Sequence, residues 1–298
     1  MSTPLKSVQF SQLVDMYSPA AVLEEVKGIF ISSYPVREFE DVRKVYADFI
    51  RLYDGKYPGY CACRTHYHDK MHITDALLAM ARLMDGYNAG HKKIPVRAAK
   101  LGLMAAIFHD AGFIQSVHDL SGTGAKYTLS HVGRSVHFVK TYFAKNNFSK
   151  SDARAVANMI LCTDMAIPVE KIRFAGSAER TAGLMLGAAD LLGQMASRCY
   201  LERLLILYKE FREGHVKGYA SELELLRKTL DFSKFIRNRL TVTLENTAQY
   251  ARFHFKRAYR INKDFYREAM EKQLGYLKDT VLGHPAEYRK YLHRLRSR

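Results

Sequence analysis

Tryptophan is absent from this sequence, and 298 residues hold only seven prolines and four cysteines. Four scattered thiols, Cys61, Cys63, Cys162 and Cys199, are too few for a disulfide framework in a chain of this length, so reduced cysteines are expected. Cys61-x-Cys63 stands beside His66, but a structural zinc site takes four ligands and no second Cys/His pair follows at suitable spacing, which leaves ordinary thiols. Long apolar runs are missing too: nothing approaches the roughly 20 residues that span a bilayer, so no transmembrane segment is expected. The opening residues, MSTPLKSVQFSQLVDMYS, lack a basic stretch followed by an apolar one, and a cytoplasmic location is the resulting expectation. There is no internal repeat, low-complexity tract or Pro/Gly/Ser-rich linker, so residues 1–298 are read as a single domain, large enough to bury a substantial core.

Acids are outnumbered. Lys and Arg total 46 against 30 Asp and Glu, for a net charge of +16. Half of that excess lies between Arg252 and Arg298, with 13 bases against 5 acids. Such a field attracts nucleotides, nucleic acid or acidic membrane without choosing among them. Here the bases alternate with apolar and acidic residues at helical spacing, so a solvated helical face accounts for the basic segment 250–298 equally well.

What is plentiful is helical periodicity. Apolar residues recur every three or four positions and alternating runs are short, which predicts an all-α, multi-helix bundle of about ten helices. Turn signals fall at Asp54 to Gly59, Gly86 to Pro95, Gly112 to Gly124, Lys145 to Ser151, Ala166 to Pro168 and Phe174 to Ser177. Three helices carry chemistry: one from about His66 to Met84, one from Pro95 to about His109-Asp110, and one from about Thr181 to Phe211.

The apolar run Leu103 to Phe108 ends in His109-Asp110, a buried helix end where an ionised carboxylate needs a metal or a partner. Asp190 sits in Ala182-Gly-Leu-Met-Leu-Gly-Ala-Ala-Asp190-Leu-Leu-Gly, with no charge at Leu186, Gly187, Gly193 or Gln194, so its cation must come from elsewhere in the fold. A metal answers that need, and so does a buried salt bridge to an Arg or Lys. In the first helix, Tyr67-His68-Asp-Lys-Met-His72-Ile-Thr-Asp75 places two histidines four apart and hence on one face. Together these form a mixed nitrogen and oxygen set suited to Zn, Fe, Mn or Mg. These residues place the metal-site core within 60–215.

The order His, His-Asp, Asp resembles the HD superfamily of metal-dependent phosphohydrolases, and within it the 3′,5′-cyclic nucleotide phosphodiesterase catalytic domain is most similar, over roughly Tyr67 to Phe211. The YHxxxHxxD helix of that family corresponds to Tyr67, His68, His72 and Asp75, its His-Asp pair to His109-Asp110, its Thr-Asp-Met segment to Thr163-Asp164-Met165, and its Ala-Asp pair to Ala189-Asp190. The resemblance implies that His72, His109, Asp110 and Asp190 hold one tightly bound ion (Zn, Fe or Mn), that Asp110 bridges to a second (Mg or Mn), and that His68 protonates the leaving oxygen. It implies hydrolysis of a cyclic nucleotide phosphodiester by attack of a metal-bound hydroxide, with Asp110 among the catalytic residues. Where the phosphodiesterases carry a further Asp-His and Pro-Gly, this chain reads Ala111-Gly112-Phe113-Ile114.

That departure keeps open an HD-type enzyme acting on nucleoside mono- or triphosphates or an alarmone. Outside the four ligands, His131, Asp75, Thr163 and Asp164 are expected as supporting groups, with His131 as a further ligand or a group behind one. Tyr67, Met165, Gln273 and Tyr276 are weaker candidates for substrate contact. His118, His137 and His215 stand alone in their segments and are taken as structural or surface residues. The expected partner is a small phosphate ester or nucleotide; a non-catalytic protein binding nucleic acid or another anionic partner through the basic C-terminal segment is the less favoured reading, and a homo-oligomer stays open.

Overall fold

Ser18, Ser149, Ser221 and Asp264 each accept a backbone N–H three residues ahead, satisfying orphan donors where four helices begin. The computed structural model describes residues 10–90 and 93–294. Among them are eleven α-helices: α1 (Pro19–Ile31), α2 (Glu40–Tyr53), α3 (Lys70–Gly90), α4 (Val96–Phe108), α5 (His131–Lys145), α6 (Lys150–Ile160), α7 (Ser177–Met195), α8 (Tyr200–Glu213), α9 (Glu222–Asn238), α10 (Tyr250–Tyr259) and α11 (Phe265–Tyr276). The only strand-like pairing among the described residues is an isolated bridge between Tyr60 and Ser116. The expected all-α fold is therefore present.

The long helix α3 is the axis of the molecule: from His72 to Gly86 only Asp75 is not fully buried. It packs on α7 along one side and α10 along another, with α1 and α4 beside it. Two glycines permit the close approach. A methyl group at Gly193 of α7 would stand 2.9 Å from the Ala76 nitrogen, and one at Gly86 would run into the Tyr250 carbonyl. Gly86 is thus a packing residue inside α3, and the helix continues to Gly90 past the expected turn. One apolar core runs from Val22 to Val281. The α10–α11 region contributes to it through Phe255, Tyr266 and Leu277, so the basic segment is only partly a solvated face; its last residues, 295–298, lie outside the described ones.

The expected single helix from Thr181 to Phe211 is two, α7 and α8, separated at Ala196 to Cys199. No Gly or Pro marks this break. The Gln273 amide donates to the carbonyls of Ser197 (2.8 Å) and Arg198 (3.1 Å), so a distant side chain supports the interruption.

Asp85 of α3 is also fully buried. It accepts from His254 Nδ1 at 2.7 Å and is paired with Arg257, joining α10 to α3. Burial lowers the His254 imidazole below its ordinary range, and Asp85 offsets this only in part. His254 is therefore neutral in the fold, and the unfolded chain takes up the proton first. The stability from this site is complete above the ordinary histidine value and is lost as the pH falls through it toward the folded value. We expect thermal stability to decline between about pH 7 and about pH 5.5, and less steeply in His254→Asn, as read by melting curves. An equal decline in the variant would remove His254 as a cause.

Candidate metal centre

Three helices bring four donor side chains into one cluster. α3 supplies His72 from its first turn, α4 ends at Phe108 so that His109 caps it and Asp110 follows, and α7 supplies Asp190 from its apolar interior. His72 Nε2 lies 3.1 Å from Asp110 Oδ2, 3.2 Å from Asp190 Oδ1 and 3.2 Å from His109 Nε2. His109 Nε2 lies 3.4 Å from Asp110 Oδ2 and 3.6 Å from Asp190 Oδ1. Ligand bonds of about 2.0–2.2 Å place neighbouring donors on one ion about 3.0–3.5 Å apart. Four of the five separations fall at that spacing and the fifth, His109 to Asp190, lies just beyond it; His72, His109 and Asp110 form a group able to hold one divalent cation, with Asp190 against both imidazoles.

Tautomers agree with this. His109 Nδ1–H donates to the Ala106 carbonyl at 2.8 Å, which leaves the Nε2 lone pair facing the cluster. Among the described residues no Lys or Arg nitrogen pairs with Asp110 or Asp190; their ion-pair contacts are to histidines alone. Burial lowers His72, but the two carboxylates outweigh it and carry the imidazole up to about 10. His109 is raised as well, again against burial. Burial raises Asp110 and Asp190, and the imidazoles outweigh it, holding both carboxyls well below the usual range. Two carboxylates facing two imidazole nitrogens are thus an environment that demands positive charge. Protons satisfy it, and so does a metal ion.

His68 is not on the helix with His72, as the HxxxH spacing suggests. Asp69 Oδ1 accepts from the backbone N–H groups of Met71 (3.0 Å) and His72 (3.1 Å), capping α3, so Tyr67 and His68 belong to the preceding loop. The loop is nevertheless fixed, by a residue that sequence reasoning did not single out. Glu210 of α8 accepts from the backbone N–H of His66 (2.8 Å) and Tyr67 (2.7 Å) through one oxygen, and from His68 Nδ1 (2.7 Å) through the other. Burial raises the Glu210 carboxyl, but His68 and the two N–H groups outweigh it and lower it. Arg203, two turns earlier on α8, bonds the Tyr67 carbonyl and lies 3.2 Å from Asp69. The only sequence signal is an Arg and a Glu seven apart, hence on one face of a helix that also carries Glu202, Lys209, Arg212 and Glu213.

His131 begins α5, and its Nδ1–H donates to the Thr128 carbonyl at 2.6 Å, turning Nε2 toward Asp110 Oδ1, 3.6 Å away. Burial lowers its imidazole against the pull of Asp110, so the ring is neutral. The Nε2 of this neutral ring thus faces a carboxylate oxygen beyond hydrogen-bond distance. Phe113, in the Ala111–Phe113 turn that departs from the phosphodiesterase pattern, stacks on both His68 (4.0 Å) and His131 (4.5 Å).

The remaining candidates are placed less centrally. Tyr67 is buried and donates to Gln194 Oε1 at 2.7 Å, while the Gln194 amide nitrogen reaches Asp190 Oδ1 at 3.4 Å, so Tyr67 is linked to the cluster through Gln194. Asp75 lies one turn along α3 from His72, and burial, opposed by Arg203 and His72, lifts its carboxyl to about 7. Thr163 Oγ1 donates to the Ile160 carbonyl and Asp164 accepts from the Ala166 N–H, so both shape the end of α6, where Met165 is exposed. The Gln273 amide is bonded to Ser197, Arg198 and Arg294, and the Tyr276 hydroxyl to the Tyr291 carbonyl.

Fold and site define an all-helical protein with a buried His/Asp donor cluster suited to a divalent cation. A family model matches residues 105–271, more than half the chain, which therefore belongs to the Npun_R2479-like family. That span holds His109, Asp110, His131, Asp190 and Glu210, while His68 and His72 precede it. No curated protein and no solved structure matches the chain.

Proposed function

We propose that this chain is a metal-dependent phosphohydrolase whose ion is held by His72, His109, Asp110 and Asp190. The observation that carries the reading is the buried group of His72, His109 and Asp110, with Asp190 against both imidazoles and no Lys or Arg paired with either aspartate among the described residues. The tightly held ion is Zn, Fe or Mn; the Asp110–His131 pair accommodates a second, Mg or Mn, less completely. Bound there, a divalent ion supplies Lewis-acid activation of water and of phosphoryl oxygens.

The protein residues have distinct duties. His68 offers its Nε2 proton to the leaving oxygen, and Glu210 fixes the ring by holding Nδ1. Phe113 packs flat on His68 and keeps water from that face. The resemblance to cyclic nucleotide phosphodiesterases makes a cyclic phosphodiester the first substrate to test. A specific observation favours the alternative of nucleoside mono- or triphosphates: Gln273, the candidate for holding a base, is bonded to the main chain elsewhere.

Purified protein supplied with Mn²⁺ or Mg²⁺ is to be offered cyclic nucleotides, nucleoside mono- and triphosphates and an alarmone, with products identified. Ring opening supports the phosphodiesterase reading and release of phosphate or pyrophosphate the alternative. Turnover of none of them counts against the phosphohydrolase assignment as a whole.

A further inference from the structure

The segment from Gln115 to Ser130 is a loop fastened at many points. The Gln115 amide donates to the carbonyls of Asp119 (3.0 Å) and Ser121 (2.9 Å), and Asp119 is bonded in turn by Lys126, Tyr127 and Ser121. Thr123 is bonded through N–H and hydroxyl to Glu213 at the end of α8, and Arg134 lies 3.5 Å over the Tyr127 ring. A loop so tied has little freedom to turn its side chains inward. Yet it holds three apolar residues in water: Val117 is 44% exposed, Leu120 67% and Leu129 77%.

The ground around them is basic. Main-chain bonds from Val117 to Gly59 and from Cys61 to Gln115 join the loop to the segment bearing Arg64, and Glu213 joins it to the end of α8 bearing Lys209 and Arg212. These three cations are exposed, and among the described residues no acid forms an ion pair with them. Lys209 and Arg212 line, with Glu213, an open depression of about 300 Å³. The acids of this region are turned to other work: Asp119 to Lys126 and Tyr127, Glu213 to Thr123, Glu210 to His68.

We infer that this face docks on a membrane surface bearing anionic lipid, with Val117, Leu120 and Leu129 entering the interfacial layer and Arg64, Lys209 and Arg212 facing the headgroups. Exposed apolar side chains on a rigid loop, beside unpaired cations on a chain of net charge +16, are the two signals that together anchor a peripheral protein. Aliphatic side chains held singly in water beside cations match the interfacial layer of an anionic membrane, where apolar insertion and headgroup attraction add. This inference does not depend on the metal or on phosphohydrolase activity.

The full chain is to be sedimented with vesicles of phosphatidylcholine alone and of phosphatidylcholine with one-third phosphatidylserine. Binding is expected to the anionic vesicles only and to weaken with added salt. Leu120→Ser/Leu129→Ser and Lys209→Glu/Arg212→Glu should each reduce the partition coefficient by about tenfold or more, with unchanged circular dichroism. Absence of binding to anionic vesicles overturns the inference. So does binding that both double variants leave intact, or a vesicle interaction abolished by competing single-stranded RNA at equal phosphate concentration.

Discussion

Asp110→Ala is expected to lose its metal and to hydrolyse phosphate esters at least about a thousandfold more slowly than the parent, several kcal/mol of barrier being the usual contribution of a bound ion. Asp110 is singled out because its two oxygens do different things. Oδ2 contacts both His72 and His109, while Oδ1 faces His131. Its removal therefore disturbs the tight cluster and the neighbouring pair together. A rival account makes the cluster a structural ion-pair network, with two protonated imidazoles held by two carboxylates. On that account Asp110→Ala lowers stability, because it leaves buried charge uncompensated, but parent and variant are equally free of metal and of activity. Measuring metal content, turnover and melting temperature on the same samples separates the two.

The second large effect concerns His68. His68→Asn is expected to cut kcat by about 10²–10⁴ on an ester with an alkoxide leaving group, and much less on a p-nitrophenyl ester, whose leaving group departs without a proton. Glu210→Gln should follow the same leaving-group pattern with a smaller loss, about 10- to 100-fold, since the ring remains but its orientation is no longer fixed. Metal content is expected to be largely retained in both variants, because neither residue supplies a donor atom to the cluster; His68 touches it only through an edge-on ring contact with His72. An equal loss on the two kinds of ester would mean that His68 does not deliver the proton.

Much of the cluster was legible because burial of charge leaves a trace in sequence. Asp190 within apolar residues and His109-Asp110 at the end of an apolar run both announced a carboxylate lacking a local partner, and the structure brings those side chains to within 3.6 Å of the same imidazoles. Helical periodicity likewise gave the fold class. What escaped were features that depend on residues far apart in the chain. Asp69 caps α3 and so moves His68 into a loop, which HxxxH spacing alone cannot reveal. Glu210, 142 residues beyond His68, is its closest side-chain partner, yet reads locally as one more charge on a helix. The interruption at Ala196 to Cys199 carries no turn residue, and its freed carbonyls are met by Gln273.

The most direct test of the metal centre is elemental analysis of the purified protein by plasma mass spectrometry, on the parent and on Asp190→Asn prepared alongside. The account predicts at least one equivalent of zinc, iron or manganese in the parent and its loss in the variant. A parent free of transition metal, and still free after incubation with each of these ions and desalting, would contradict it.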